Sequence, residues 1–424
     1  MEKSHLEANL ALLARHQPGL ARLTLLTEGD EPPAGEPPSR PVLVHRPTKR
    51  LHPDRCARVL ARSTHQVSRA RVPGPGKPWR VLVVTPTGGG ALPVARHVIR
   101  TLKRLGHEVI EADLGVLEPL VRPAQDPAVP AARRDTFHRR LFALAGELVA
   151  LLAETKAPHL LLALAQAPLD PRALARVKDL GVPTAFWFVE DYRAFPYFRD
   201  LAPAYDFFFH IQGPALEAEL RALGASRVLH LPLAADPDFF QPVTDERRLA
   251  PFRADLSFMG AGYPNRRVVF RELLNWDLKI WGSGWDLDTE VGRHVQENGR
   301  RVSAEETVLI YNAARINLNL HSSLQTLGLD VEGGFLNPRT FEIAAAGAFQ
   351  VVDRRPELGL HFDLEKEVAA YASLAELKDL IGHFLHNPDQ RLEMGRRARE
   401  RVLAQHTYQH RLETLLAFVA AGLT

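Results

Sequence analysis

The 424 residues are 46% apolar and 24% charged, as in an ordinary globular protein, and the length suits about three domains, or two large ones with an extension. With 53 basic against 50 acidic residues the formal charge is only +3, too small an excess to indicate nucleic acid as a partner. A single cysteine, Cys56, excludes an intramolecular disulfide, and no apolar run approaches the ~20 residues of a membrane span. The expectation is a soluble cytoplasmic protein, with peripheral membrane contact left open.

Residues 4 to 28 show helical periodicity through Leu6, Leu10, Leu13 and Leu20, and Glu28 to Pro41 is a Pro/Gly linker. A second helix is expected from His52 to about His65, with Cys56 as a small buried residue, before a boundary at Arg71 to Lys77. From Arg80 the pattern changes. Val81 to Val84 reads as a buried strand, followed by a loop with Gly88, Gly89 and Gly90, a helix from about Pro93 to Leu105, and a second strand ending at Ile110. The three glycines do not have GxGxxG spacing, so they fit either a loop that lets substrate approach the backbone or a plain tight turn.

The alternation continues with a helix at Asp135 to Thr155, a strand at His159 to Leu164 and a helix at Pro171 to Leu180. Pro183 to Val189 reads as a strand that ends in Glu190 and Asp191, and strands at Tyr205 to His210 and Val228 to Pro232 flank a helix at Pro214 to Leu223. Such an order makes a doubly wound sheet, whose ligands bind beyond the carboxyl ends of the strands. Asp191 there can serve as a general base for a substrate hydroxyl, or simply cap a surface turn.

Leu233 to Pro251 reads as a connection to a second α/β unit. In that unit Asp255 to Met259 and Leu278 to Trp281 lead into Gly-bearing loops at Gly260 and Gly282, and Arg266 opens a helix. A strand from Arg315 to His321 follows a helix at Ser303 to Ala314. Leu336 to Asp353 is the most informative stretch. Asn337 caps a helix with Pro338 at its first position, Arg339, Thr340 and Glu342 occupy the first turn, Gly347 closes it, and Phe349 to Val352 is a strand. A helix start carrying an Arg, a hydroxyl and a carboxylate suits a phosphorylated sugar: dipole and Arg339 for phosphate, Glu342 for ribose hydroxyls. Three helices close the chain, the last from Tyr408 to Ala421. No HExxH, Walker A, GxSxG or clear DxD pair occurs, so no metal site is expected and any catalysis rests on positioned organic groups.

Several of these blocks together resemble the CgeB-like glycosyltransferases, of the glycosyl transferases group 1 type. They are Trp187 to Asp191, Leu231 to Asp236, Leu256 to Gly260 with Asn265 to Arg267, Ile316 to His321, Leu336 to Ile343 with Gly347 to Asp353, and His406 to Arg411. The resemblance spans roughly residues 80 to 420. It implies a GT-B fold of two facing doubly wound Rossmann-like domains, here with an N-terminal helical extension. The expected parts are an extension at 1–76, an acceptor domain at 77–245, a donor domain at 246–405 and a returning C-terminal helix at 406–424. It further implies a metal-independent transfer from a nucleoside-diphosphate sugar, UDP-sugar first, to a glycan or protein acceptor, with no cofactor.

By position, Glu342 resembles the ribose-binding glutamate of related enzymes, with Gly260, Arg266, Gly282, His321, Asn337, Arg339 and Thr340 on the donor side and Gly88 to Gly90 on the acceptor side. Where many relatives have a first glutamate this chain has Gly334, a departure from the retaining pattern of that subgroup; an inverting reaction would need a base, for which Asp191 is the candidate and Glu190 second. The rival readings are a GT-B-fold sugar-nucleotide epimerase and a non-catalytic sugar-nucleotide-binding scaffold.

Overall fold

A computed structural model describes residues 73–74 and 76–423, so the two helices expected in the first 72 residues, and Cys56, lie outside the described residues. Eleven strands are described, in two sheets. The first has the order β2-β1-β3-β4-β5-β6, with β1 at Arg80–Val84, β2 at Glu108–Ala112, β3 at Leu160–Leu164, β4 at Thr184–Phe188, β5 at Phe207–His210 and β6 at Val228–His230. The second has the order β11-β10-β9-β7-β8, with β7 at Ala254–Met259, β8 at Leu278–Trp281, β9 at Ala314–Asn319, β10 at Gln350–Asp353 and β11 at Ala369–Tyr371. Its neighbouring strands pair in parallel, as do β4, β5 and β6 in the first sheet.

The strands read as they do because they are covered on both faces. Leu160–Leu164, Thr184–Phe188 and Phe207–His210 are buried at every position, so their apolar runs do not alternate. In the second sheet Leu256, Phe258, Ile280, Ile316, Leu318 and Val351 form one core cluster. Both sheets reverse direction beside their first strand, between β1 and β3 and between β7 and β9. The carboxyl ends at such a reversal diverge and leave a crevice for ligands.

Cα packing divides the chain into two compact units, one made of the described residues up to Gly88 with Ile110–Leu161 and Ala167–Pro183, the other of Gly89–Val109, Leu162–Gln166 and the residues from Thr184 on. The site residues described below belong to the second unit, except Gly88. In that unit helix α1, Ala91–Arg104, is packed by the final helix α2, Tyr408–Leu423: the Tyr408 ring stacks on His97 at 5.6 Å, and Phe418 meets Phe209 of β5 edge-on at 5.8 Å. Asp236 anchors the same region, accepting from Arg104 at 3.1 Å and lying 3.4 Å from His97 Nδ1.

One segment escaped sequence reading. Leu114–Leu117 forms a 3₁₀ turn and Glu118–Gln125 a helix, although that helix has a proline near its start and Pro123 inside. Prolines ordinarily mark a break, and this helix is short enough to tolerate both. None of the described helices is long and apolar enough to cross a membrane.

Candidate active site

Helix α3, Pro338–Ala345, starts as its sequence dictates. Asn337 has extended backbone and its Oδ1 accepts from Thr340 N at 3.0 Å, while Pro338 sits where no N–H is needed. The backbone N–H of Asn337 donates to His321 Nε2 at 2.9 Å, so that nitrogen carries no proton, and Nδ1–H donates to Asp353 Oδ1 at 2.6 Å. Burial lowers the His321 pKa to about 4, which agrees with a neutral ring. Burial opposes ionisation of Asp353, but the bonds from His321 and the Arg355 guanidinium, at 2.9 and 3.1 Å, outweigh it and hold the carboxyl well below its usual range.

Asn319, at the end of β9, ties this start together. Its Nδ2 donates to Thr340 Oγ1 and Gln350 Oε1, both at 3.0 Å, and its Oδ1 accepts from Asn337 Nδ2 at 2.9 Å and Arg339 Nη1 at 3.1 Å. Thr340 is wholly buried and its hydroxyl lies between Asn319 and Asn337, 3.2 Å from the latter's Oδ1. His321, Asn337 and Thr340 are therefore brought together, but with their side chains turned on one another. They shape the helix start, and the Thr340 hydroxyl, expected on the donor side, is engaged by Asn319 and Asn337 inside this lattice.

Arg266 is a second departure. Expected on the donor side, it is buried, giving Nε and Nη2 to Leu320 O at 3.0 and 2.9 Å and Nη1 to Ala261 O at 2.9 Å. Its guanidinium also lies over the rings of Phe258 and Tyr263, 5.0 and 5.2 Å from their centroids. It fastens the loop after β7 to the end of β9. Gly260 and Gly282 press backbone against backbone: at Gly282, with φ +115°, a Cβ would stand 2.5 Å from Gly260 O. At Gly260 a Cβ would stand 2.6 Å from Arg339 Nη2.

Arg339 and Glu342 keep polar capacity in reserve. Arg339 is buried over Phe258 at 4.7 Å, donates Nη1 to Asn319, and has its Nε buried without a partner. Burial lowers its pKa and raises that of Glu342. Glu342 accepts from Tyr311 Oη at 3.3 Å, a long bond that leaves its other lone pairs for a ligand.

At the end of β4 the two carboxylates differ sharply. Asp191 is held at both oxygens by Arg193, Nε to Oδ1 at 3.1 Å and Nη2 to Oδ2 at 3.0 Å. Arg193 Nη2 also donates to Asp330 Oδ2 at 2.8 Å, which accepts from Ser323 Oγ at 3.2 Å and lies 3.9 Å from Arg355 Nη1. A chain of charges thus runs from Asp191 through Arg193, Asp330, Arg355 and Asp353 to His321 and the cap. Glu190 stands apart from it. Half-buried, it accepts from Tyr197 Oη at 2.6 Å and from Gln166 Nε2, and burial raises its pKa despite both bonds.

Of the glycine loop, Gly88 and Gly90 meet nothing that a side chain would disturb, whereas Gly89 has φ +78°, lies against the Gln166 side chain, and offers its carbonyl to Arg301 Nη2 at 3.0 Å. Sequence reading missed Gln166, Tyr197, Asn319 and Asp330. Asn319 was visible as a polar residue in an apolar strand and Gln166 as a polar interruption after one; Tyr197 and Asp330 carried no local signal. Among the described residues no group of three or more His, Cys, Asp or Glu is placed to hold a metal ion.

Residues 266–417 match the family described as Glycosyl transferase-like. Spore protein CgeB of Bacillus subtilis is 23% identical over 234 residues, 51% of this chain and 69% of that protein. Among solved structures, a sucrose-phosphate synthase of Thermosynechococcus elongatus superposes with a TM-score of 0.55 at 13% identity, over 81% of this chain and 99% of the other. A glycosyltransferase of Rickettsia africae gives 0.56 at 13%, over 82% and 99%. Anabaena HepE, solved in complex with UDP and glucose, gives 0.55 at 10%, over 81% and 100%. Residues 266–417 thus match a glycosyl transferase-like domain, and the two parallel Rossmann-like sheets give the chain the GT-B fold of those structural neighbours.

Proposed function

We propose that this transferase moves a sugar from a nucleoside diphosphate, UDP first, to a hydroxyl of a glycan or protein acceptor without a metal ion. The observation that carries the reading is the pair Arg339 and Glu342. Both are buried on one helix at the reversal between β7 and β9, and both keep polar atoms that the protein does not fully satisfy. A buried guanidinium nitrogen without a partner is costly, and a phosphate oxygen relieves that cost. Glu342 would accept from the ribose hydroxyls. HepE, whose complex contains UDP, supports the choice of nucleotide by its shared fold.

On the acceptor side Glu190 takes precedence over Asp191 as the base. Asp191 is neutralised by a bidentate Arg193, whereas Glu190 is half-buried, uncompensated by any cation and raised in pKa. Its carboxylate would take the proton of the acceptor hydroxyl as that oxygen bonds to the anomeric carbon. The bond from that carbon to the diphosphate breaks, and Arg339 and the helix start stabilise the departing charge. One such base and a single displacement give inversion.

Titration calorimetry with UDP in EDTA-containing buffer tests the donor site. Wild type should bind, and Glu342→Ala should bind at least about tenfold more weakly, the loss of one or two hydrogen bonds to a charged group. Unchanged affinity in Glu342→Ala would remove that residue from the site, and binding only after divalent cation is restored would overturn metal independence.

A further inference from the structure

Gln166 follows β3 and has φ +66°, a left-handed backbone that an unbranched L residue other than Asn, Asp or His seldom adopts. The conformation has visible consequences. It turns the Gln166 N–H onto Tyr197 Oη at 2.9 Å, and it brings the side-chain amide onto Glu190 Oε1. Tyr197 Oη in turn donates to Glu190 Oε2 at 2.6 Å. One strained residue therefore touches the carboxylate twice, directly through its amide and indirectly by fixing the tyrosine hydroxyl. The loop after β1 accommodates it by placing Gly89, with φ +78°, against the Gln166 side chain.

We infer that Gln166 is the positioning residue for Glu190, orienting its carboxylate toward the acceptor and setting the pH at which it accepts a proton. The inference rests on Glu190 acting as the base. Strain is kept where the surrounding structure over-determines it, and here its product is the geometry of one carboxylate. The groups that face this carboxylate are Tyr197 and Gln166; Gln212, after β5, donates to the Glu190 backbone carbonyl and leaves the side chain alone. Both donors favour the charged form, so removing either must raise the Glu190 pKa further.

The test is the variant Gln166→Met, which keeps the length of the side chain and removes its donors, with Tyr197→Phe as the second arm. The Glu190 carboxyl is followed by ¹³C NMR titration in glutamate-labelled protein, its resonance assigned from Glu190→Gln. A hydrogen bond to a charged group corresponds to an upward move of about one pH unit in the midpoint. The acidic limb of the kcat profile should move up by the same amount, with kcat about tenfold lower on that limb and the donor KM unchanged. An unmoved midpoint in both variants overturns the inference. A moved midpoint beside full activity of Glu190→Gln keeps the positioning role and discards the base, so the two failures are distinguishable. Should Gln166→Met fold poorly, Gln166→Gly, which fits φ > 0, supplies the same measurement without the strain.

Discussion

The ends of β7, β9 and β10 and the ends of β3 and β4 solve opposite problems. At the first, Asn319, Asn337, Thr340, Gln350, His321 and Asp353 are buried and bonded to each other, so the start of α3 is built before any ligand arrives. At the second, Gln166, Glu190 and Tyr197 are only half-buried, and their arrangement depends on one left-handed residue. A preformed lattice suits a ligand whose shape does not vary, such as a nucleotide. A half-open carboxylate suits an acceptor hydroxyl that must enter, lose its proton and leave.

The largest effect should come from cutting the lattice at its charged node. Asp353→Ala leaves Arg355 and His321, both buried, without their acceptor. Breaking a buried ion pair by removing one partner costs about 3–5 kcal/mol. The urea midpoint should fall accordingly. A loss below about 1 kcal/mol would mean that the node is hydrated and that the lattice does not hold the cap.

Acid probes the same contrast. Burial lowers His210, His321 and His361 to about 4 and His406 to about 3, each from an ordinary 6.5. Between those values the unfolded chain takes protons that the folded chain refuses, so stability is full above pH 6.5 and is lost as pH falls toward 4. Glu190 and Glu342, raised by burial, act in the opposite sense, but they are two against four. The Tm should therefore drop on going from pH 7 to about 4.5, and the drop should shrink in His210→Phe, whose native ring has no hydrogen-bond partner to lose. A flat Tm over that range would show that these rings are hydrated.

What was legible in the sequence follows from this difference. The cap Asn337, Pro338, the first turn and the closing Gly347 are local, within a few residues of one another, so they could be read directly. The role of Thr340 could not, because its partner Asn319 is 21 residues away in sequence and Arg266 finds Leu320 54 residues on. Each is a residue type suited to phosphate, but Thr340 ties neighbouring side chains together and Arg266 fastens backbone. The parallel sheets were legible because strands buried on both faces have unbroken apolar runs. The conformation of Gln166 was not, since its only trace in the sequence is a polar interruption after an apolar strand, and φ leaves no signature in a glutamine.

Thr340→Val separates the two roles proposed for that hydroxyl. If it belongs to the lattice, the change costs about 1–3 kcal/mol by leaving an Asn319 Nδ2 hydrogen unsatisfied, and UDP affinity in the folded protein stays within about threefold. A tenfold loss of affinity at unchanged stability would return Thr340 to the diphosphate.

The smallest effect should appear at the strained end, and its sign is what matters. A non-glycine residue in the left-handed region costs on the order of 1 kcal/mol, which Gln166→Gly recovers. Against this, glycine adds conformational freedom to the unfolded chain, and the amide bond to Glu190 is lost. These terms nearly cancel, so Gln166→Gly should lie within about 1 kcal/mol of wild type in urea, far from the cost of Asp353→Ala. Transfer activity should nevertheless fall, because the cost of the glutamine's backbone is tied to the carboxylate it orients. Wild-type activity together with equal or higher stability would mean that the left-handed residue serves neither purpose.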